Sequence, residues 1–150
     1  MAIGESKMHK MLRRRRLLSD AVIWFETFDT DLKVQILDWI RKDQLLAKGV
    51  DATGEIIGTY SLTTSLINPQ KRYGSPFTLN DKGDFFRSMF VAVLLDEIKI
   101  DANSASFAEM KLQDWYTDEI LGLTDENLQK LKKRVEARYL EAIKKALSIN

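Results

Sequence analysis

The segment from about residue 48 to residue 80 constrains the fold most, because it has no clear helical or strand period. Turn-forming runs fill it, at residues 49–54, 58–61 and 74–78. About thirty residues of this kind are uncommon inside a compact domain, and they are usually functional, disordered or ordered by a partner. We therefore expect an irregular loop or arm whose backbone, with few partners in its own chain, finds them on a neighbour.

The bulk composition excludes several kinds of chemistry. The chain has 150 residues, no cysteine and one histidine, His9. Its length suits one domain with its own core. Disulfides, thiolate chemistry and a His-rich metal site are excluded. No apolar run reaches the length of a membrane span and no apolar leader region is found, so we expect the protein to act in the compartment where it is made.

The charge is segregated along the chain. Residues 1–18 hold six Lys and Arg against one Glu, a net charge of +5, so the rest carries −4 to reach the chain total of +1. We divide the chain into a basic N-terminal arm, residues 1–16, and a single domain, residues 17–150. Such an arm suits nucleic acid or an acidic surface on another copy. Its charged positions are Lys10, Arg13, Arg14, Arg15 and Arg16.

Periodic segments on both sides of the loop predict an α+β fold. Apolar residues at helical spacing from about Leu17 to Ile40 predict a long N-terminal helix, which Asp29 could divide by capping a second helix. That helix should end near Lys48, with Gly49 as its C-cap residue. The C-terminal sequence, with Thr124 as N-cap, predicts an amphipathic helix packed on the sheet.

A small antiparallel sheet with a central hairpin is predicted between these helices. Residues 86–95 are apolar enough for a buried strand, and residues 98–102 alternate as a half-exposed strand does. Residues 60–67 fit either a strand or a loop, and residues 107–118 are weakly helical. A lone hairpin is marginal, so further strands or a helix must cover it.

No pattern in the chain points to catalysis. The glycines lack the spacing of a dinucleotide-binding or phosphate-binding loop, and no base is placed to activate a serine. The acidic residues suggest no acid–base pair. We therefore predict a protein that is not an enzyme, with no catalytic residue, no cofactor and no metal ligand.

The order of three motifs resembles small virion proteins of tailed phages and prophages, particularly those of Bacteroidetes hosts. The first motif is Gln44-Leu45-Leu46 leading into residues 49–54 and 57–61; the second covers residues 74–88, and the third residues 118–124. They are similar to the virion-morphogenesis and tail-completion (neck) family over residues 44–147. The chain departs from that pattern at Lys82, where the family has Thr, and its basic start has no counterpart there.

The resemblance implies an α+β structural subunit without enzyme activity, in the virion and, during assembly, in the host cytoplasm. It implies a ring of about six or twelve copies at the head–tail junction, next to portal, connector or tail proteins. DNA contact through the arm is possible, and no membrane is involved. The alternatives are a nucleic-acid-binding module that uses the arm, or a small adaptor protein with a helical partner.

The interface positions that we predict lie in two stretches of the loop, residues 51–61 and 73–78. Within these stretches, the residues that we predict to contact another subunit are Asp51, Gly54, Tyr60, Ser61, Tyr73, Pro76 and Thr78.

Overall fold

The computed structural model describes residues 20–79, 83–95, 97–102, 105–106, 110–111 and 118–147. It is a mixed helix and sheet structure, as the sequence predicts. In chain order the elements are α1 (Asp20–Thr27), α2 (Thr30–Asp38), a π-helical segment (Trp39–Leu46), α3 (Leu62–Ile67), α4 (Asp84–Ser88), β1 (Met89–Val93), β2 (Ile98–Ala102), β3 (Ala105–Ser106), β4 (Met110–Lys111), a 3₁₀ turn (Asp118–Leu121) and α5 (Asp125–Leu147).

The N-terminal helical region is divided at Asp29, the break that the sequence allowed for, so one long N-terminal helix is not supported. Asp29 has extended backbone, and its carboxylate accepts a hydrogen bond from the Leu32 backbone N–H at 2.9 Å. A capping carboxylate satisfies a free N–H of the new helix and ends the old one. Arg138 of α5 forms an ion pair with the same carboxylate. The pKa of Asp29 is lowered, first by the Leu32 hydrogen bond and then by Arg138.

α2 continues into the π-helical segment, which ends at Leu46 with Ala47 as its C-cap residue, two residues before the Gly49 that the sequence predicted. The Ala47 N–H donates to the Lys42 carbonyl, five residues back, at 3.0 Å. Gly49 has a φ of 63°, and its N–H donates to the Leu45 carbonyl at 3.0 Å. Glycine adopts this left-handed conformation readily, so it turns the chain after the helix without strain.

The predicted hairpin is confirmed, with a shorter first strand. β1 and β2 pair antiparallel, with Met89 opposite Ala102 and Val93 opposite Ile98. Met89 and Ala102 are buried, so one face of the hairpin lies on the core. Residues 84–88, partly assigned to the strand from sequence, form α4 instead. The Ser88 hydroxyl donates to the Phe85 carbonyl within that helical turn at 2.8 Å.

β3 and β4 form a second, two-residue antiparallel pair, Ala105 opposite Lys111 and Ser106 opposite Met110. Met110 and Lys111 are therefore in a strand, where the sequence suggested a weak helix. The rest of that predicted helix, residues 107–109 and 112–117, lies outside the described residues.

α5 is confirmed, but its main neighbour is α1 rather than the sheet. Thr124 caps it as predicted, because its hydroxyl accepts from the Asn127 backbone N–H at 3.4 Å. The sheet is covered by α2, whose buried side chains face β1. The shared core consists of Phe28, Leu32, Ile36, Leu37, Ile40, Leu45, Phe85, Met89, Val91, Ala102, Ile120, Leu121, Leu123 and Leu131.

Candidate interface loop

Residues 48–79, which we call the interface loop, are folded through hydrogen bonds of their own. The first part is a tight turn. The Asp51 carboxylate accepts from the Thr53 backbone N–H at 2.8 Å, and the Gly54 N–H donates to the Asp51 carbonyl at 3.1 Å. Gly54 has a φ of 85°. Asp51 and Gly54, two predicted interface positions, therefore shape the turn, which presents Ile56 at 56% exposure.

The second part of the interface loop pairs its two ends. The Phe77 N–H donates to the Gly58 carbonyl at 2.8 Å. The Tyr60 N–H donates to the Ser75 carbonyl at 2.9 Å, and the Gly74 N–H returns to the Tyr60 carbonyl at 3.0 Å. The expectation that this backbone lacks partners in its own chain is therefore wrong.

Tyr60 and Thr78 stabilise the inside of the loop. The Tyr60 ring meets the Phe77 ring edge-on, with centroids 4.9 Å apart. The Tyr60 hydroxyl lies 3.4 Å from the Thr78 hydroxyl oxygen, and Lys71 Nζ lies 5.7 Å from the Tyr60 ring centroid. Such edge contacts between aromatic rings are favourable. Both predicted positions are half-buried, so their first role is to hold the loop together.

Ser61 starts a helix that the sequence did not predict. Its hydroxyl accepts from the Thr64 backbone N–H at 3.2 Å and caps α3. None of the residues of α3 is buried. Leu62, Leu66 and Ile67 are 58%, 76% and 81% exposed. Sequence reasoning missed these three apolar side chains, which stand on the outside of the interface loop.

The remaining predicted positions are divided between this outer surface and an inner groove. Tyr73 is 69% exposed. Pro76 is half-buried and forms an isolated antiparallel β-bridge with Thr59. A groove of about 390 Å³ lies between the end of the π-helical segment and the loop. Tyr60, Pro76 and Thr78 line it together with Lys48 and Lys71.

A buried glutamine in the π-helical segment joins the base of the interface loop to the start of α5. Gln44 is 1% exposed. Its Nε2 donates to the Gly122 carbonyl at 2.8 Å, and its Oε1 accepts from the Thr124 N–H at 2.9 Å and from Asn127 Nδ2 at 2.8 Å. Satisfied buried polar groups of this kind fix the relative position of the elements they join. No local pattern around Gln44 predicts this role.

A second contact fixes the turn of the interface loop to the 3₁₀ turn. The Ala52 N–H donates to the Glu119 carbonyl at 2.9 Å. A Cβ on Gly122 would lie 2.5 Å from the Cβ of Ala52, closer than any side chain could tolerate. The glycine therefore allows the two backbones to pack against each other.

Several carboxylates of the described residues form ion pairs at the protein surface. Asp84 pairs with Arg87, and Lys99 Nζ lies 3.4 Å from Asp101. The pKa of Glu126 is lowered, first by a hydrogen bond from Lys130 and then by the charges of Lys130 and Lys48.

Within the described ranges, no three metal-ligating side chains cluster. In that same part of the chain, no helix has the length and apolarity needed to span a membrane.

The predicted electrostatic arm, Lys10 and Arg13 to Arg16, lies outside the described residues. Comparison of the chain with protein-family models, curated proteins and solved structures gives no match.

Proposed function

We propose that this protein is a structural subunit of a tailed-phage virion that assembles with copies of itself at the head–tail junction. The proposal combines the motif resemblance over residues 44–147 with the character of the interface loop. It includes a ring of copies next to portal, connector or tail proteins, built in the host cytoplasm and retained in the virion. In this proposal the protein acts by binding other proteins and not by catalysis.

The observation that carries the proposal is an ordered loop that holds large apolar side chains in solvent. Ile56, Leu62, Leu66, Ile67 and Tyr73 are each more than half exposed on the interface loop. Exposed apolar side chains that lie close together mark interaction sites on folded proteins, and four of these five fall within residues 62–73. The segment is also held by its own hydrogen bonds, so it presents a fixed surface.

The charge of the arm favours a second candidate, a nucleic-acid-binding module. Residues 1–18 carry +5. Phosphate contacts by Lys and Arg give an affinity that falls steeply as salt is raised. In the assembly proposal the same arm instead meets the acidic body of a neighbouring copy.

The native mass of the purified chain tests the assembly proposal. Light scattering behind a sizing column, at low and at high salt, should give a ring-sized oligomer, and negative-stain microscopy should show closed rings. A variant with Arg13 to Arg16 changed to Glu should assemble less well at low salt, and its intact assembly would exclude the arm–body pairing. A monomer that binds duplex DNA with a steep salt dependence would favour the second candidate.

A further inference from the structure

The tip of the β1–β2 hairpin carries exposed apolar and acidic groups side by side. Leu94 and Leu95 are 43% and 71% exposed. Glu97 is exposed too, and its carbonyl accepts the Leu94 N–H at 2.8 Å to close the turn. We call Leu94, Leu95 and Glu97 the hairpin tip.

The outside of the interface loop has the complementary character. Leu62, Leu66, Ile67 and Tyr73 are exposed, and Arg72, which precedes Tyr73 in the chain, is exposed as well. We call these five residues the loop patch. The sequence from residue 56 to residue 80 holds two basic residues and no acidic residue. An apolar surface with a cation suits an apolar surface with a carboxylate.

The hairpin tip lies at one end of β1, and the π-helical segment that leads into the interface loop contacts the other end. The Trp24 indole N–H donates to the Leu94 carbonyl, which places the tip beside α1. At the other end of β1, Arg41 of the π-helical segment donates to the Met89 carbonyl at 3.1 Å. The interface loop leaves after the end of that segment, at Leu46. α2 and the π-helical segment together span roughly 20–25 Å, given the rise of a helix.

We propose that the hairpin tip of one copy binds the loop patch of the next copy in a head-to-tail contact. The inference deepens the proposed function, on which it rests, by naming the two surfaces of the ring contact. The two surfaces differ, since one carries a carboxylate beside its apolar side chains and the other carries a guanidinium. A contact between two different surfaces makes a ring when the rotation between copies closes.

The exposure of α3 supports this choice of surface. Helices in proteins usually pack one face against another element, and the six residues of α3 bury none of their side chains in this way. Since no residue of α3 is buried in its own copy, the leucines of the hairpin tip would supply the missing apolar contact.

Two variants, each blocked on one surface, test the contact. Leu95→Asp blocks the hairpin tip, and Leu66→Asp blocks the loop patch; both side chains are largely exposed, so folding should be unaffected. Each variant alone should be monomeric by sedimentation velocity. An equimolar mixture should form a dimer and nothing larger, because one intact tip and one intact loop patch are left to pair. Leu140→Asp, at a 58% exposed position on α5, is the matched control and should assemble as the natural chain does.

A pair of charge reversals gives a second readout. Glu97→Arg and Arg72→Glu should each weaken association about two- to fivefold, as loss of an exposed charge pair does, and the double variant should recover most of it.

The outcomes separate this inference from the proposed function. If the natural chain assembles and both blocked variants assemble equally well, the tip–loop contact is wrong and the ring proposal stands. A mixture that stays monomeric while the natural chain assembles overturns the contact as well. A natural chain that is monomeric under all conditions overturns both.

Discussion

Replacing Gln44 with leucine should lower the free energy of unfolding by about 3–4 kcal/mol. The two side chains are similar in volume, so the change leaves no large cavity, and the loss comes from hydrogen bonds. The buried Asn127 amide loses an acceptor, worth up to about 2 kcal/mol. The Gly122 carbonyl and the Thr124 N–H lose one partner each, about 1 kcal/mol apiece, because water reaches them partly.

Urea unfolding followed by tryptophan fluorescence measures this loss. With a denaturant dependence of about 2 kcal/mol per molar, the midpoint should fall by roughly 1.5–2 M, without a change in slope. The matched control is Gln35→Leu, the same chemical change at a half-buried position on α2, which should move stability by less than about 0.5 kcal/mol. If the two variants are equally stable, Gln44 does not join the π-helical segment to α5 in the way described.

Gln44→Glu adds a pH test of the same site. A carboxylate there would face the Gly122 carbonyl, and burial would raise its pKa above that of an exposed Glu, about 4.3. A group with a raised folded-state pKa destabilises the fold increasingly as the pH rises above its unfolded value. The deficit relative to the natural chain should therefore grow between about pH 4 and pH 7, and a deficit independent of pH would contradict this.

Two further perturbations test the loop and the helix junction. Gly49→Ala should cost about 2 kcal/mol or more, because the φ is positive and a Cβ would lie 2.5 Å from the Phe77 carbonyl oxygen. Gly74→Ala, also at positive φ but with open space around it, should cost about 1 kcal/mol, and equal thermal stabilities for the two variants would refute the steric argument. Asp29→Asn keeps the helix cap but loses the ion pair with Arg138, about 0.5 kcal/mol at this exposed site. Because the pKa of Asp29 is lowered, that stabilisation is present above about pH 4 and is lost as the pH falls further, so unfolding curves of the two proteins should converge there.

The elements that sequence reasoning located are those with strong local signals. The alternation of Ile98, Ile100 and Ala102 marks β2 whatever the rest of the chain does. Thr124 followed by two acidic residues marks the start of α5 equally locally. Gly49 falls directly after an amphipathic stripe, so a helix end close to it could be predicted.

The elements that were missed depend on contacts between distant residues or on weak propensities. α3 contains two threonines and an isoleucine, whose branched side chains favour strands, and only the Ser61 cap favours a helix. Gln44 contacts residues about eighty positions away, which no local pattern shows. The main neighbour of α5 is likewise a matter of topology, so no local pattern could show that it is α1.

The extent of the irregular loop could be predicted from the sequence, but the exposure of the residues within it could not. The boundaries of the loop could be predicted because the segment has no helical or strand period. The exposure of each side chain within it depends on how the two ends of the loop pair. Tyr60 and Thr78 face inward because of that pairing, and Leu66 and Ile67 face solvent for the same reason.

The internal hydrogen bonds of the interface loop have a thermodynamic consequence for any partner that binds it. A disordered thirty-residue segment would have to be ordered on binding, which lowers affinity and adds a large heat-capacity change. Here the two ends of the loop are already joined through Tyr60 and Ser75, so that ordering is complete when the domain folds. Binding at this surface should therefore give a heat-capacity change set by the apolar area covered, and an enthalpy without a folding contribution.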